Sequence, residues 1–282
     1  MSKNGFKDKE EENNKKETEK NKKTDTETKN EIHHHRLSTG AIVGLIFAAI
    51  LAIVAIIVGV ELYQTSRGGT NVITQERGVS SFKKVSLNGF GRLTIKQGPK
   101  ESLEVRTNER IIDNINIQVI NDTLNIGQKN QWAFWDFLIN KDVDFYLTVK
   151  DLNEITVSGA GSVYASSLTL NDLKLTINGS GSDNLNLTAI KIDSNISGSG
   201  NITFSGKTID QNLTITGSGD YKSNDLSSKF TEITINGSGN VKVNVDTKLK
   251  VNISGSGNVL YLGNPEVSQN VAGSGSVKKI NN

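Results

Sequence analysis

No cysteine occurs in the 282 residues, which excludes a disulfide framework, a thiolate zinc site and a cysteine nucleophile. Histidine is nearly as scarce: all 3 histidines are consecutive, His33-His34-His35, just ahead of a long apolar run. Adjacent imidazoles point to different sides of any regular backbone, and no carboxylate pair lies close by. We read the run as the flank of that apolar segment rather than as a metal site. Charge imbalance is missing too. The formal net charge of +2 is too small to argue for a nucleic-acid partner. Nucleophile-elbow, phosphate-loop and zinc-helix signatures are absent. No catalytic, cofactor or metal residue is therefore expected, and the chain reads as non-enzymatic. A domain built without disulfides has only its core and its backbone ladder to hold it.

What the sequence does have is one recurring tripeptide. Gly159-Ala160-Gly161 is followed by Gly179-Ser180-Gly181, Gly198-Ser199-Gly200 and Gly217-Ser218-Gly219. Gly237-Ser238-Gly239, Gly255-Ser256-Gly257 and Gly273-Ser274-Gly275 complete the series. Successive first glycines are separated by 20, 19, 19, 20, 18 and 18 residues, a period that marks a stacked-coil architecture. Before each tripeptide, apolar and polar residues alternate, as in Leu173, Leu175 and Ile177 around Lys174 and Thr176. Alternation with period two is a strand with one buried and one solvated face. A second short alternating stretch follows most corners, such as Ile202 and Phe204, or Val241, Val243 and Val245. The glycines fit a corner that needs positive φ. The unit is strand, Gly-x-Gly corner, strand, return, and it cannot bury its own apolar face. Stacked on copies of itself it forms a continuous core, with strands about 4.8 Å apart. The expected fold is all-β, a parallel β-solenoid of coils about 19 residues long; its rival is an antiparallel array of evenly spaced hairpins.

Small residues flank every corner, polar in all but Ala272. Asn178 and Asn236 stand just before a glycine tripeptide, and Asn201, Asp220, Asn240 and Asn258 just after one. Parallel stacking would align them into two polar ladders, hydrogen-bonded from coil to coil. Calcium-binding solenoids place aspartate in their turns; here only Asp220 is acidic, so a calcium ladder is not expected. Asp183, Asp193, Asp210 and Asp220 share no single repeat offset, which argues against a polysaccharide-cleaving acid pair. Asn121, Asn178, Asn186, Asn195, Asn201, Asn212, Asn236 and Asn252 each begin an Asn-x-Ser/Thr triplet, read as a by-product of this Asn/Ser/Thr-rich composition.

Strands ending in Ile/Val-x-Gly-Ser-Gly-Asn/Ser-Val at this spacing resemble the bacterial and archaeal domain called the putative auto-transporter adhesin head GIN domain. So do Phe82, Val85 and Leu87, the Asn88-Gly89-Phe90-Gly91 segment, then Leu93, Thr94, Ile95 and Gln97-Gly98. The resemblance runs from about Phe82 to Ile280. It implies a β-solenoid and a cell-surface setting. That family has no established catalytic residues, so none carries over.

The chain divides into four parts. Residues 1–39 are rich in Lys, Glu, Asn and Thr and nearly free of apolar side chains, so they read as a disordered cytoplasmic tail. Residues 40–62 read as one transmembrane helix, because twenty-odd apolar residues span the roughly 30 Å hydrocarbon core. Its leader is too long for a cleaved signal peptide. Residues 63–71 form a linker, and 72–282 the solenoid head. Gly89-Phe90-Gly91 is expected to be an early, irregular corner, and Asn121-Asp122 a hairpin turn. Both tryptophans of this aromatic-poor chain fall in one stretch, where Trp132, Phe134, Trp135 and Phe137 form either an end cap or a binding patch.

The expected location is the cell membrane, single-pass, with the N-terminus cytoplasmic and the head outside. The bilayer is one partner; surface glycans or proteins are others, and nucleic acid is not. The function expected is adhesion or binding by the head. The alternatives are a structural or sensory envelope component reporting through the tail, and a polysaccharide-acting enzyme.

Overall fold

The computed structural model describes residues 71–129 and 143–281. In chain order its elements begin with β1 (Val72–Arg77), β2 (Lys84–Gly89), β3 (Arg92–Gln97), β4 (Ser102–Asn108) and the one-turn helix α1 (Glu109–Ile112). Next come β5 (Ile115–Ile120), β6 (Thr123–Gln128), β7 (Asp144–Val149), β8 (Glu154–Gly159), β9 (Ser162–Thr169), β10 (Asp172–Gly179), β11 (Ser182–Thr188) and β12 (Lys191–Gly198). The longest strands, β13 (Asn201–Gly217), β14 (Asp220–Gly237) and β15 (Asn240–Gly255), each run from one corner to the next. The last are β16 (Asn258–Leu262), β17 (Glu266–Gly273) and β18 (Ser276–Lys279).

Two parallel stacks result. In the first, β6, β2, β8, β10 and β12 lie side by side, followed by the C-terminal parts of β13, β14 and β15, and then β17. In the second, β7, β3, β9 and β11 are followed by the N-terminal parts of β13, β14 and β15, then β16 and β18. The corners pile up in register, with Gly159 beside Gly179, Gly179 beside Gly198, and so on to Gly255 beside Gly273. The chain is therefore the parallel β-solenoid its period indicates, and not an array of hairpins.

Each corner has two glycines for two different reasons. Gly198 has φ 119°, and a Cβ there would lie 2.6 Å from the Gly179 carbonyl oxygen of the coil below. That oxygen accepts the Ser199 N–H at 3.0 Å, so the bend is hydrogen-bonded to the next bend. Gly239 meets a side chain as well: its Cβ would come within 2.6 Å of the Gly219 carbonyl oxygen and 2.9 Å of Ile215 Cγ2. Ile215 belongs to an inward column of Leu87, Val157, Ile177, Ile196, Ile215, Ile235 and Ile253, all buried. The corner glycine leaves the room that this largely β-branched column needs. Each layer thus lends apolar surface to the next, and alternation in sequence becomes burial in space.

The outward face of the first stack pairs its charges in register. Lys84, Glu154, Lys174, Asp193, Asn212, Glu232 and Lys250 form one column. Lys174 Nζ lies 2.9 Å from Glu154, and Lys250 Nζ 2.8 Å from Glu232. Lys191 is 2.8 Å from Asp193, which also accepts from Asn212 Nδ2 at 2.8 Å. Burial alone would raise the Asp193 carboxyl, but the bonds from Lys191 and Asn212 outweigh it and hold its pKa below the ordinary value. Exposed pairs like these contribute little to stability singly, yet a slipped register would set like charges opposite each other.

At the N-terminal end the β5–β6 hairpin forms at Asn121-Asp122 as expected, and further antiparallel pairing that the repeat does not indicate joins it. β1 pairs antiparallel with β4, β4 antiparallel with β7, and β5 antiparallel with β6. α1 was not foreseen; Asn108 caps it, its side chain accepting the Arg110 N–H at 2.9 Å. Strands β6 and β7 lie outside β2 and β3 in space, although they follow them in the chain. The Gly89-Phe90-Gly91 bend is a full member of the corner series, since Gly89 aligns with Gly159. The tail 1–39, the expected membrane span 40–62, the linker up to residue 70, and Trp132, Phe134, Trp135 and Phe137 lie outside the described residues. Among the described residues no helix is long and apolar enough to cross a membrane.

Candidate functional site

Every corner delivers the chain into the second stack, and the residue after its second glycine is the first to face outward there. Asn201, Asp220, Asn240, Asn258 and Ser276 occupy that position in successive coils and share one column. Asn201 Oδ1 accepts the Asp220 backbone N–H at 3.2 Å, and Asn240 Nδ2 donates to Asp220 Oδ1 at 3.1 Å. Asn258 Nδ2 donates to Asn240 Oδ1 at 3.3 Å, and Ser276 Oγ donates to Asn258 Oδ1 at 2.8 Å. Four residues expected from the sequence, Asn201, Asp220, Asn240 and Asn258, therefore meet in one ladder. Asn178 and Asn236 do not join it. They stand in the pre-corner column of the first stack, Asn178 between Ser158 and Ser197, and Asn236 between Thr216 and Ser254.

A second column runs beside the ladder, two residues further along each strand. Its members, from the N-terminal end, are Tyr146, Thr94, Tyr164, Asn184, Thr203, Lys222, Lys242, Leu260 and Lys278. Sequence reasoning did not single these out. The signal was there as a constant offset: Thr94, Tyr164, Asn184, Thr203, Lys222, Lys242, Leu260 and Lys278 each lie three residues past the second glycine of a corner. Tyr146 and Tyr164 are each 39% exposed, large for aromatic rings on a folded sheet. The Arg92 guanidinium sits 5.8 Å from the Tyr164 ring centroid and 3.7 Å from Asp144.

At the C-terminal end the two columns border a groove of about 460 Å³. Asp220, Asn240, Asn258 and Ser276 form one wall, and Lys222, Lys242, Leu260 and Lys278 the other. Lysine stems and Leu260 make it more apolar than its charges suggest. A different groove of about 400 Å³ lies on the return side, against Lys83, Gln97, Asp151 and Thr169. Its central group is already occupied structurally: Gln97 Oε1 accepts the Thr169 N–H at 3.0 Å, and Nε2 donates to the Thr169 carbonyl at 3.2 Å.

The acids noted in the sequence are dispersed. Asp193 belongs to the charged column of the first stack, Asp220 to the ladder, and Asp183 to the core, where it is 2% exposed. Asp183 Oδ1 accepts the Val163 N–H at 2.9 Å. Burial pushes its pKa up to about 7, with that hydrogen bond opposing the shift. Among the described residues no three acidic, histidine or cysteine side chains gather to hold a metal. The arrangement presents an open, elongated, polar and cationic face rather than an enclosed cleft.

Comparison with known proteins agrees with the fold. No curated protein matches the chain. A putative adhesin from Bacteroides fragilis is similar in structure, with a TM-score of 0.67 and 23% identity, covering 75% of this chain and 98% of its own. A putative lipid binding protein from Parabacteroides distasonis gives 0.59 and 25%, over 76% and 98%. A putative adhesin from the same organism gives 0.60 and 23%, over 76% and 98%. The profile of one family, described as putative auto-transporter adhesin, head GIN domain, matches residues 81–265. This chain belongs to that family.

Proposed function

We propose that the chain presents its solenoid head outside the cell as an adhesion module that catalyses no reaction. The apolar segment 40–62 anchors it, with residues 1–39 on the cytoplasmic side. The carrying observation is the second stack's outward face, an amide ladder beside a column with tyrosines toward one end and lysines toward the other, a long contact surface that carries an open groove. Membership of an adhesin-head family supports the same reading.

The test compares cells producing the full chain with cells lacking it. Intact producing cells should label at head lysines with a membrane-impermeant amine reagent, and should adhere more strongly to a glycan- or protein-coated surface. The chain should stay with the membrane fraction after alkaline carbonate washing. Head lysines that label only after lysis, or equal adherence of the two strains on every surface, would overturn the proposal.

A further inference from the structure

We propose that the outward face of the second stack is a binding track for a linear anionic polysaccharide, laid across the strands along the solenoid axis. The track has an aromatic end, Tyr146 and Tyr164, and a cationic end, Lys222, Lys242 and Lys278, with Leu260 between the last two lysines. This deepens the adhesion reading and rests on it for the source of the glycan.

The argument begins with charge. On the first stack, Lys84, Lys174, Lys191 and Lys250 each stand within 4.0 Å of a carboxylate. On the second stack, Lys222, Lys242 and Lys278 have no carboxylate partner among the described residues. Lys222 and Lys242 are direct lateral neighbours, one strand step of about 4.8 Å apart, where like charges repel. Asp220 is the one acid bordering the groove, and its Oδ1 already accepts from Asn240. Three lysines against one carboxylate leave a net positive strip that an external anion would neutralise.

Shape and polarity narrow the anion. One strand step is close to the advance of one sugar unit in an extended chain, so successive units fall on successive coils. Lys242 and Lys278 are two steps apart, with Leu260 between them to meet the apolar face of a ring. The neighbouring ladder of Asn201, Asp220, Asn240 and Asn258 offers amide and carboxylate groups to hydroxyls. Exposed tyrosines further along supply flat apolar platforms. A single-stranded nucleic acid would bring phosphates to the same lysines and bases to the same two tyrosines, so it is a direct competitor in the test.

The experiment uses the full chain in detergent micelles and biolayer interferometry against alginate (carboxylate), dextran sulfate (sulfate), neutral dextran and single-stranded DNA. Alginate or dextran sulfate should bind, more weakly at 300 mM than at 50 mM NaCl, and dextran should not. The triple variant K222Q/K242Q/K278Q should weaken binding at least tenfold. K84Q/K174Q/K250Q, which removes as many lysines from the other stack, should leave affinity within twofold. Y164A should weaken it severalfold without changing the salt dependence. Circular-dichroism melts confirm that each variant is folded. Absence of binding to both anionic glycans, equal loss in the two lysine triples, or tighter binding to DNA would overturn the track. If that happens while producing cells still adhere, the track is wrong and the adhesion reading stands.

Discussion

At the scale of the residue, Asp183 is a costly choice. Its column continues through Ile202, Tyr221, Val241 and Val259, so a carboxyl occupies a place where other coils put apolar bodies. Oδ1 accepts the Val163 N–H, while Oδ2 is buried without a partner. The unfolded group titrates near 3.8 and the folded one at about 7, so folding favours the protonated form. Its contribution to stability is fully present below about pH 4 and is lost as pH rises through 7. Asp183→Asn keeps an acceptor for Val163 and cannot titrate. Thermal melts of wild type and variant from pH 4 to pH 8 should therefore diverge, with wild type losing several degrees more than the variant toward pH 8. Parallel profiles would show that the carboxyl does not sense burial as described.

At the scale of the element, the clearest local statement is the β5–β6 hairpin. Asn121 and Asp122 both have positive φ, 49° and 60°, as the two centre positions of a type I′ turn require. Asp122→Val should cost about 1–2 kcal/mol, because a β-branched side chain is strained in that region, whereas Asp122→Gly should not destabilise. Urea midpoints measure both. This turn and the Gly-x-Gly corners were legible because each depends on backbone conformations that few residues adopt. The mixed cap was not. Leu103 and Val105 alternate like any coil strand, and alternation tells which face is buried without telling which neighbour lies alongside or in which direction. Nothing local in Asp144–Val149 shows that β7 turns back to lie outside β3. The site divides in the same way. The ladder was visible because Asn201, Asp220, Asn240 and Asn258 are chemically alike. The tyrosine–lysine column was hidden because its members share a position and not a chemistry.

At the scale of the whole molecule, a solenoid's stability is a sum over layers and their interfaces, so its ends set its weak points. The N-terminal end is closed by the antiparallel strands β1, β4 and β5 and by α1, whose Ile111 and Ile112 are buried in the core. Among the described residues the C-terminal layer has no such cover. Every residue of β17 is exposed, and Val267 and Val271 are each 36% accessible, while the equivalent Leu249 and Ile253 one coil earlier are at 0% and 3%. β17 and β18 also pair on one side only among the described residues. Lys278 and Lys279 sit on this last edge, where charge discourages a second solenoid from adding its own strand. Local opening should start here. Hydrogen exchange of the full chain should show peptides covering 264–281 exchanging at least ~100-fold faster than those covering 172–198. Protection of β17 equal to that of β12 would mean that another chain covers the end. A protection gradient falling instead toward β1 would place the weak point at the mixed cap and remove the basis for reading those antiparallel strands as a closure.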